Sequence, residues 1–320
     1  TSSYRHDSAP ISAQRCLNLY AERQPPNAKT QVSVHGPPGI STFATCGAGP
    51  IRGFRMLGGV LYAVSGTSLY SVSNAATPVA TQLGVGITGS GIVGTADNAV
   101  EIGIVNGSKG YLYDTTSGFR VITDTDFFAA NTVAYFDGFF LFDRSGTDQF
   151  FRSDLLDGAT YDGTAFATKE SASSNVQAVI NVKQVLYVLG AGNNSELWAN
   201  AGAANFPFQR LPGGTIDRGI VAPHANAQED QGLFLVGEDR IAYRFSGTQP
   251  QRISTHAIEA AWQKYTAVSD CFGLAHTWNG HKFIVFTFPT QQVPLYDTTS
   301  WAYDISTQLW HEKLSYDLNG

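Results

Sequence analysis

Six times along this chain a short apolar run meets a tight turn and a second, more aromatic run follows. Glycine loops and further short runs come next. In residues 51–73 (IRGFRMLGGVLYAVSGTSLYSVS), Gly58-Gly59 and Ser65-Gly66 punctuate three strand-like stretches. Glycine turns of this kind between apolar runs mark β-hairpins. Comparable stretches open near residues 98, 131, 174, 219 and 271. Aligned on Tyr62, Ile104, Phe140, Tyr187, Phe234 and Phe283, their second strands lie 42, 36, 47, 47 and 49 residues apart. A period of about 40–50 residues with four strands per repeat is the signature of a β-propeller. The expected fold is therefore all-β: a propeller of about six four-stranded blades over residues 51–320. A large sandwich would explain the strands but not the period.

Composition agrees. Charged residues are 14% of the 320, where a soluble domain usually carries about 25%. Eight Glu and seven Lys are too few to clothe long amphipathic helices. Hydrophobic residues at 43% exclude a disordered chain. Cys16, Cys46 and Cys271 are far apart and form no C-x-x-C pair, which argues against a disulfide scaffold or a cysteine-built zinc site. No apolar run approaches a membrane span, and the polar opening TSSYRHDSAPISAQR does not read as a signal peptide.

Three segments depart from the repeat. Residues 1–50, rich in proline, read as an extended arm that docks or wraps ahead of the blades and braces the first of them. Residues 201–216, with Pro207, Pro212 and Gly213-Gly214, read as a long loop. Ile258, Ala261, Trp262 and Tyr265 follow helical spacing after a cap at Ser254 or Thr255. Tyr303-Asp304 followed by Trp310 reads as an outer hairpin whose aromatics pack between sheets. YDTTSG (113–118) and YDTTSW (296–301) repeat one another, and the closing SYDLNG reads as the opening of another unit, so the C-terminal end of the propeller is left open.

Motifs of chemistry are weak. GSGIVG at 89–94 matches G-x-G-x-x-G, but the residues after it read as strand, whereas a phosphate cradle needs a helix there. His276 and His281 flank the turn Trp278-Asn279-Gly280 and read as a hairpin surface pair. Asp124, Asp126, Asp154, Asp157 and Asp162 fall in loops, where aspartate is a common turn residue. SGTDQFF (145–151) reads as a plain turn. No catalytic, metal or cofactor residue is assigned, and the protein is read as a non-enzyme. Net charge is −6, so tight binding to a phosphate backbone is not expected.

One resemblance is carried by the order of several motifs. Arg15-Cys16-Leu17-Asn18-Leu19-Tyr20-Ala21-Glu22 is followed by Gly36-Pro37-Pro38-Gly39-Ile40, then by Arg52-Gly53 and LGGVLYAVSGTSLYSV. Ser195-Glu196-Leu197-Trp198, Arg218-Gly219-Ile220 and STHAIEAAWQKYT come later. This resembles the packaged-DNA stabilisation, or tail nozzle and hub, proteins of short-tailed double-stranded DNA phages. Pro37 stands where such proteins usually have Thr or Ser. The resemblance implies a virion protein of the tail, assembled in the host cytoplasm. It implies a homo-oligomer, a hexameric ring below portal and adaptor. The ring contacts a needle, fibres or spikes, and double-stranded DNA passes it without tight binding. It singles out Arg15, Asn18, Leu19, Tyr20, Gly36, Pro38, Gly39, Arg52 and Gly53 as docking or structural residues. A propeller glycosidase or lyase on host polysaccharide, or a monomeric carbohydrate- or protein-binding propeller, is the alternative.

Overall fold

The computed structural model describes residues 16–37, 40–293 and 298–314. Among them are six four-stranded antiparallel sheets, each a simple meander in chain order. The first runs through Ile51–Leu57, Val60–Ser65, Ser68–Val72 and Ala80–Val85. The second comprises Gly94–Asp97, Glu101–Val105, Gly110–Asp114 and Gly118–Val121; the third Val133–Phe136, Phe139–Asp143, Gln149–Asp154 and Asp157–Thr168. The fourth is Val176–Val182, Val185–Gly190, Ser195–Asn200 and Phe208–Ile216. Asn226–Glu229, Gly232–Val236, Ala242–Ser246 and Gln249–Arg252 form the fifth; Phe272–Trp278, His281–Thr287, Ser300–Asp304 and Leu309–Lys313 the sixth. This is a six-bladed β-propeller. The residues used to align the repeats all fall on second strands.

The burial pattern explains why those strands carry the signal. All five residues of Glu101–Val105 and of Gly232–Val236 are buried. A strand covered on both faces reads as a continuous apolar run. Outer strands such as Ala80–Val85 are only partly covered and contribute little pattern.

The first turn of five of the six blades repeats one geometry. Gly58-Gly59, Asp137-Gly138, Lys183-Gln184, Asp230-Gln231 and Asn279-Gly280 all have two consecutive positive φ angles. That is the two-residue turn whose twist matches the flanking strands. In the fourth blade a glutamine at φ 63° occupies the second position. Replacing Gln184 with Gly is expected to stabilise this turn by about 0.5–1 kcal/mol, read from urea unfolding, because side chains are disfavoured in that region.

The described chain divides into two compact units. Ser41–His224 holds the first four sheets; the described residues of 1–40 and 225–320 hold the last two and an N-terminal hairpin. In the first unit aromatic rings cluster on the third sheet and the loop that leads into it. Phe142 stacks on Phe151 at 5.1 Å, and Phe127 meets Phe142, Phe151 and Tyr161 edge-on. Burying each such ring contributes about 1.5–3 kcal/mol.

In the second unit the helix α1 (His256–Gln263) follows the fifth sheet. Its Trp262 is buried against Phe286, Phe288, Trp301 and Trp310. Thr255 occupies the N-cap position without a side-chain cap bond, while Ser254 Oγ donates to Glu259 at 2.6 Å. Tyr303 and Trp310 pair across the last hairpin, with rings 5.2 Å apart.

Two sequence expectations are corrected. Residues 208–216 form a strand, and a register shift opposite Glu196–Trp198 absorbs Pro212 and Gly213. Residues 20–23 and 32–35 form a hairpin, β1 (Tyr20–Arg23) and β2 (Val32–His35), where an extended arm was expected. The segment 315–320 and the residues Tyr296 and Asp297 of the second YDTTS lie outside the described residues.

Candidate docking site

Residues 16–18 of the arm bond to the last blade, where the first was expected; residues 44–50 do brace the first blade, with Cys46 packed on Ala63 and Val72 and the Gly49 and Pro50 carbonyls accepting from Ser65 Oγ and the Gly66 amide. Leu17 forms a parallel bridge to Glu312 on the outer strand of the sixth sheet. The Glu312 amide donates to the Cys16 carbonyl at 2.9 Å, and the Asn18 amide donates to the Glu312 carbonyl at 2.9 Å. Asn18 completes the seam with its side chain. Its Nδ2 donates to the Leu314 carbonyl at 2.7 Å, and its Oδ1 accepts the Leu314 amide at 2.9 Å. Asn18 sits at φ 50°, a conformation that Asn tolerates better than most residues.

Tyr20 is the anchor. It is 5% exposed and lies against His35, His281 and Phe283 at 5.6, 5.1 and 5.6 Å, with His311 at 6.5 Å. Leu19 is half-exposed and Ala21 fully buried. Tyr20→Ala is expected to free the hairpin while the blades stay folded. Protection of the Asn18 and Leu314 amides from hydrogen exchange should fall by at least tenfold, since losing a buried aromatic costs about 3–5 kcal/mol.

Under the hairpin, His281 Nδ1 lies 2.7 Å from Asp304 Oδ2, and His276 Nε2 lies 3.2 Å from Lys313 Nζ. Both imidazoles stack on Phe283. His281 is 9% exposed, so the expected surface pair is instead part of the arm's seat. Asp304 also accepts from the Ser306 amide and Thr307 Oγ1, tying off the turn after the third strand. Asp114 does the same after the repeated Tyr-Asp in the second blade. The Ser117 amide and Arg120 hold its carboxyl at about 2 despite burial.

Arg52 and Gly53 belong to the other unit. Arg52 is 4% exposed, and its guanidinium donates to the carbonyls of Gly91, Gly66, Thr88 and Ile87 at 2.6, 2.8, 2.9 and 3.3 Å. The loop that carries GSGIVG thus turns the carbonyls of Ile87, Thr88 and Gly91 to a cation and is no phosphate cradle, which would present N–H groups. At Gly53 a Cβ would lie 2.7 Å from Val93 Cγ2. Gly36 has open space around it. Arg15, Pro38 and Gly39 lie outside the described residues. Of the singled-out residues that are described, Asn18 and Tyr20 seat the arm, and Arg52 and Gly53 pack against the loop between the first two blades.

Two of the later motifs, 195–198 and 218–220, join into one lock at the fourth blade. Ser195 Oγ donates to the Arg218 carbonyl at 2.6 Å. Glu196, fully buried, accepts from the amides of Glu170 and Ser171 and from Trp198 Nε1. A Cβ on Gly219 would lie 1.9 Å from the Gly192 carbonyl oxygen. Gly219→Ala is expected to cost about 1–3 kcal/mol in urea unfolding, because backbone must move to make room.

Reactive chemistry does not converge elsewhere among the described residues. No group of three or more His, Cys, Asp or Glu could hold a metal there. The loop aspartates serve their own turns: Asp124 accepts the amides of Asp126 and Tyr161, Asp157 that of Ala159, and Asp162 that of Thr164. Asp154 pairs with Arg152. Asp143 is fully buried and accepts the Asn131 and Thr132 amides; burial pushes its carboxyl up to about 6. Its place after a strand of Phe and Leu is the only sequence sign of that role. All three cysteines are buried. Among the described residues no helix is long and apolar enough to cross a membrane.

The profile of a family described as "Phage_stabilise: Bacteriophage P22 Gp10, beta-propeller" matches residues 4–318. The chain belongs to this phage-stabilisation family. It is therefore a member of a phage structural family with a propeller fold, consistent with a virion component and with a non-enzyme. No curated protein matches the chain. Among solved structures it is similar to the computationally designed Ika8 protein, at 12% identity and TM-score 0.50, covering 84% of this chain and 78% of that one. It is also similar to the extracellular domain of BT4673 from B. thetaiotaomicron, at 11% identity and TM-score 0.52, covering 86% of this chain and 34% of that one. The chain thus spans about a third of the latter's length. At such identities the likeness shows the fold alone.

Proposed function

We propose that this chain is a structural subunit of a short phage tail, a ring-forming nozzle or hub protein. It extends the DNA channel below the portal and adaptor, contacts the needle, fibres or spikes, and helps retain and then release the packaged genome. The observation that carries this reading is the family match across residues 4–318. Two properties support it. The buried polar groups serve the fold: Arg52, Glu196 and Asp304 tie loops and turns, and Asn18 fastens the arm. The chain is acidic, with net charge −6 and pI about 5.6, so it offers little counter-charge to DNA sliding past.

Virions produced from a genome encoding this chain test the proposal. Mass spectrometry of purified particles should find the protein at a few to a dozen copies, and antibody labelling should mark the tail vertex. Absence from particles, or release of reducing sugar from host polysaccharide by the purified chain, would overturn it. At about 150 mM salt its affinity for duplex DNA should be no tighter than about 1 μM, the range of non-specific binding.

A further inference from the structure

The seat of the arm is closed over one histidine without a bond among the described residues. His311, on the outer strand of the sixth sheet, is 3% exposed, and neither Nδ1 nor Nε2 has a hydrogen-bond partner there. Phe283 lies 6.1 Å from it and Tyr20 6.5 Å, both edge-on.

The polar groups around it are already committed. On the third strand, Asp304 is taken by His281, Ser306 and Thr307. On its own strand Lys313 lies beside His276 of the first strand, and Glu312 holds the seam to Cys16 and Asn18 through its backbone. On the hairpin, His35 pairs with Glu22 and Ser33. A neutral imidazole fits this place. An imidazolium would add a buried charge with two N–H donors and no acceptor.

We propose that His311 makes the arm's seat an acid-sensitive latch: neutral, it lets Tyr20 and residues 16–18 close over the last blade, and protonated it opens them. Opening frees the hairpin and uncovers both the edge of the outer strand Leu309–Lys313 and the Phe283 face. The proposal rests on the arm's seating and not on the tail reading.

The sign follows from linkage. Burial holds His311 down to about 4 in the docked state, with Lys313 and His281 acting in the same direction and Asp304 against them. Released into water, it titrates near 6.5. The released state therefore binds more protons between those values. Docking is at full strength above about pH 6.5 and weakens as pH falls, by at most tenfold per unit, until the docked form also protonates near pH 4. His281–Asp304 and His276–Lys313 lie wholly on the sixth sheet, and His35–Glu22 lies wholly on the hairpin, so release breaks none of them.

Hydrogen exchange of the full chain between pH 7.5 and 4.5, corrected for the intrinsic pH dependence, tests this. Protection of the Asn18, Glu312 and Leu314 amides should fall by roughly 40-fold from pH 6.5 to pH 4.5. Strands Phe139–Asp143 and Gln149–Asp154 should keep theirs. His311→Leu should flatten the profile, and His311→Met serves if the first variant loses protection at Ile284 and Phe286. Direct titration of the His311 ring by NMR gives a readout without a variant, with a midpoint below 5 expected. A flat wild-type profile, an unchanged slope in the folded variant, or a His311 midpoint near 6.5 would overturn the proposal.

Discussion

Arg52→Leu should destabilise the unit Ser41–His224 by about 3–5 kcal/mol, because it strips the donor from a set of buried carbonyls at once. The guanidinium ties Gly66 in the first blade to Ile87, Thr88 and Gly91 in the loop leading to the second. Only Thr88 has another donor there, since Asn106 Nδ2 reaches its carbonyl at 2.8 Å. Burial itself disfavours the charge and lowers the Arg52 pKa, so the charge persists through those bonds. Arg52→Lys should recover about half the loss, because an ammonium offers fewer donors and no planar fan. Urea unfolding followed through exchange of the second-blade amides reads the effect. A loss below about 0.5 kcal/mol for Arg52→Leu, the size of an ordinary surface change, would show that water satisfies the loop instead.

Trp262→Ala should cost the other unit about 3–5 kcal/mol, the usual range for removing a buried tryptophan. Its indole is fully buried, and four aromatic residues surround it. The neighbours are bonded in place. Trp310 Nε1 donates to the Ile253 carbonyl, and Trp301 Nε1 donates to Tyr265 Oη, which donates to the Thr298 carbonyl. Arg240 closes the end of α1 by donating to the carbonyls of Trp262, Gln263 and Tyr265. The surroundings are therefore poorly able to collapse into the space. Trp262 Nε1 itself has no partner, so the residue acts through packing. Trp262→Phe should then cost under about 1.5 kcal/mol. Equal losses for Ala and Phe in thermal unfolding would mean that the indole N–H matters after all.

The blades were legible because their middle strands are buried on both faces. Tyr62, Phe140 and Phe234 each belong to a run of at least four consecutive buried residues, so pattern and burial coincide. Glycine and asparagine turns marked three of the shared hairpin turns. Lys183-Gln184 and Asp230-Gln231 adopt the same backbone without those residues and left no mark. The strand 208–216 was hidden by Pro212 and Gly213, which a register shift accommodates.

The arm's seat was illegible for a different reason. Asn18 and Leu314 are 296 residues apart in the chain, and no local pattern reports a contact of that span. Arg52 stood among other isolated arginines, and only the fold shows which one meets converging carbonyls. His311 follows Trp310 in an outer strand, and its burial depends on a tyrosine supplied from the other end of the sequence.

The low charge content, 14% of residues, comes partly from blades built of Gly, Ser, Thr and aromatics. The remainder fits a subunit bordered by copies of itself, which needs fewer solvated charges than a free monomer. Native mass spectrometry of the purified full chain at micromolar concentration, paired with electron micrographs, tests that central claim most directly. The account predicts a closed ring, six copies of the 34.4 kDa chain. A well-behaved monomer at high concentration, with no ring in the micrographs, would contradict it.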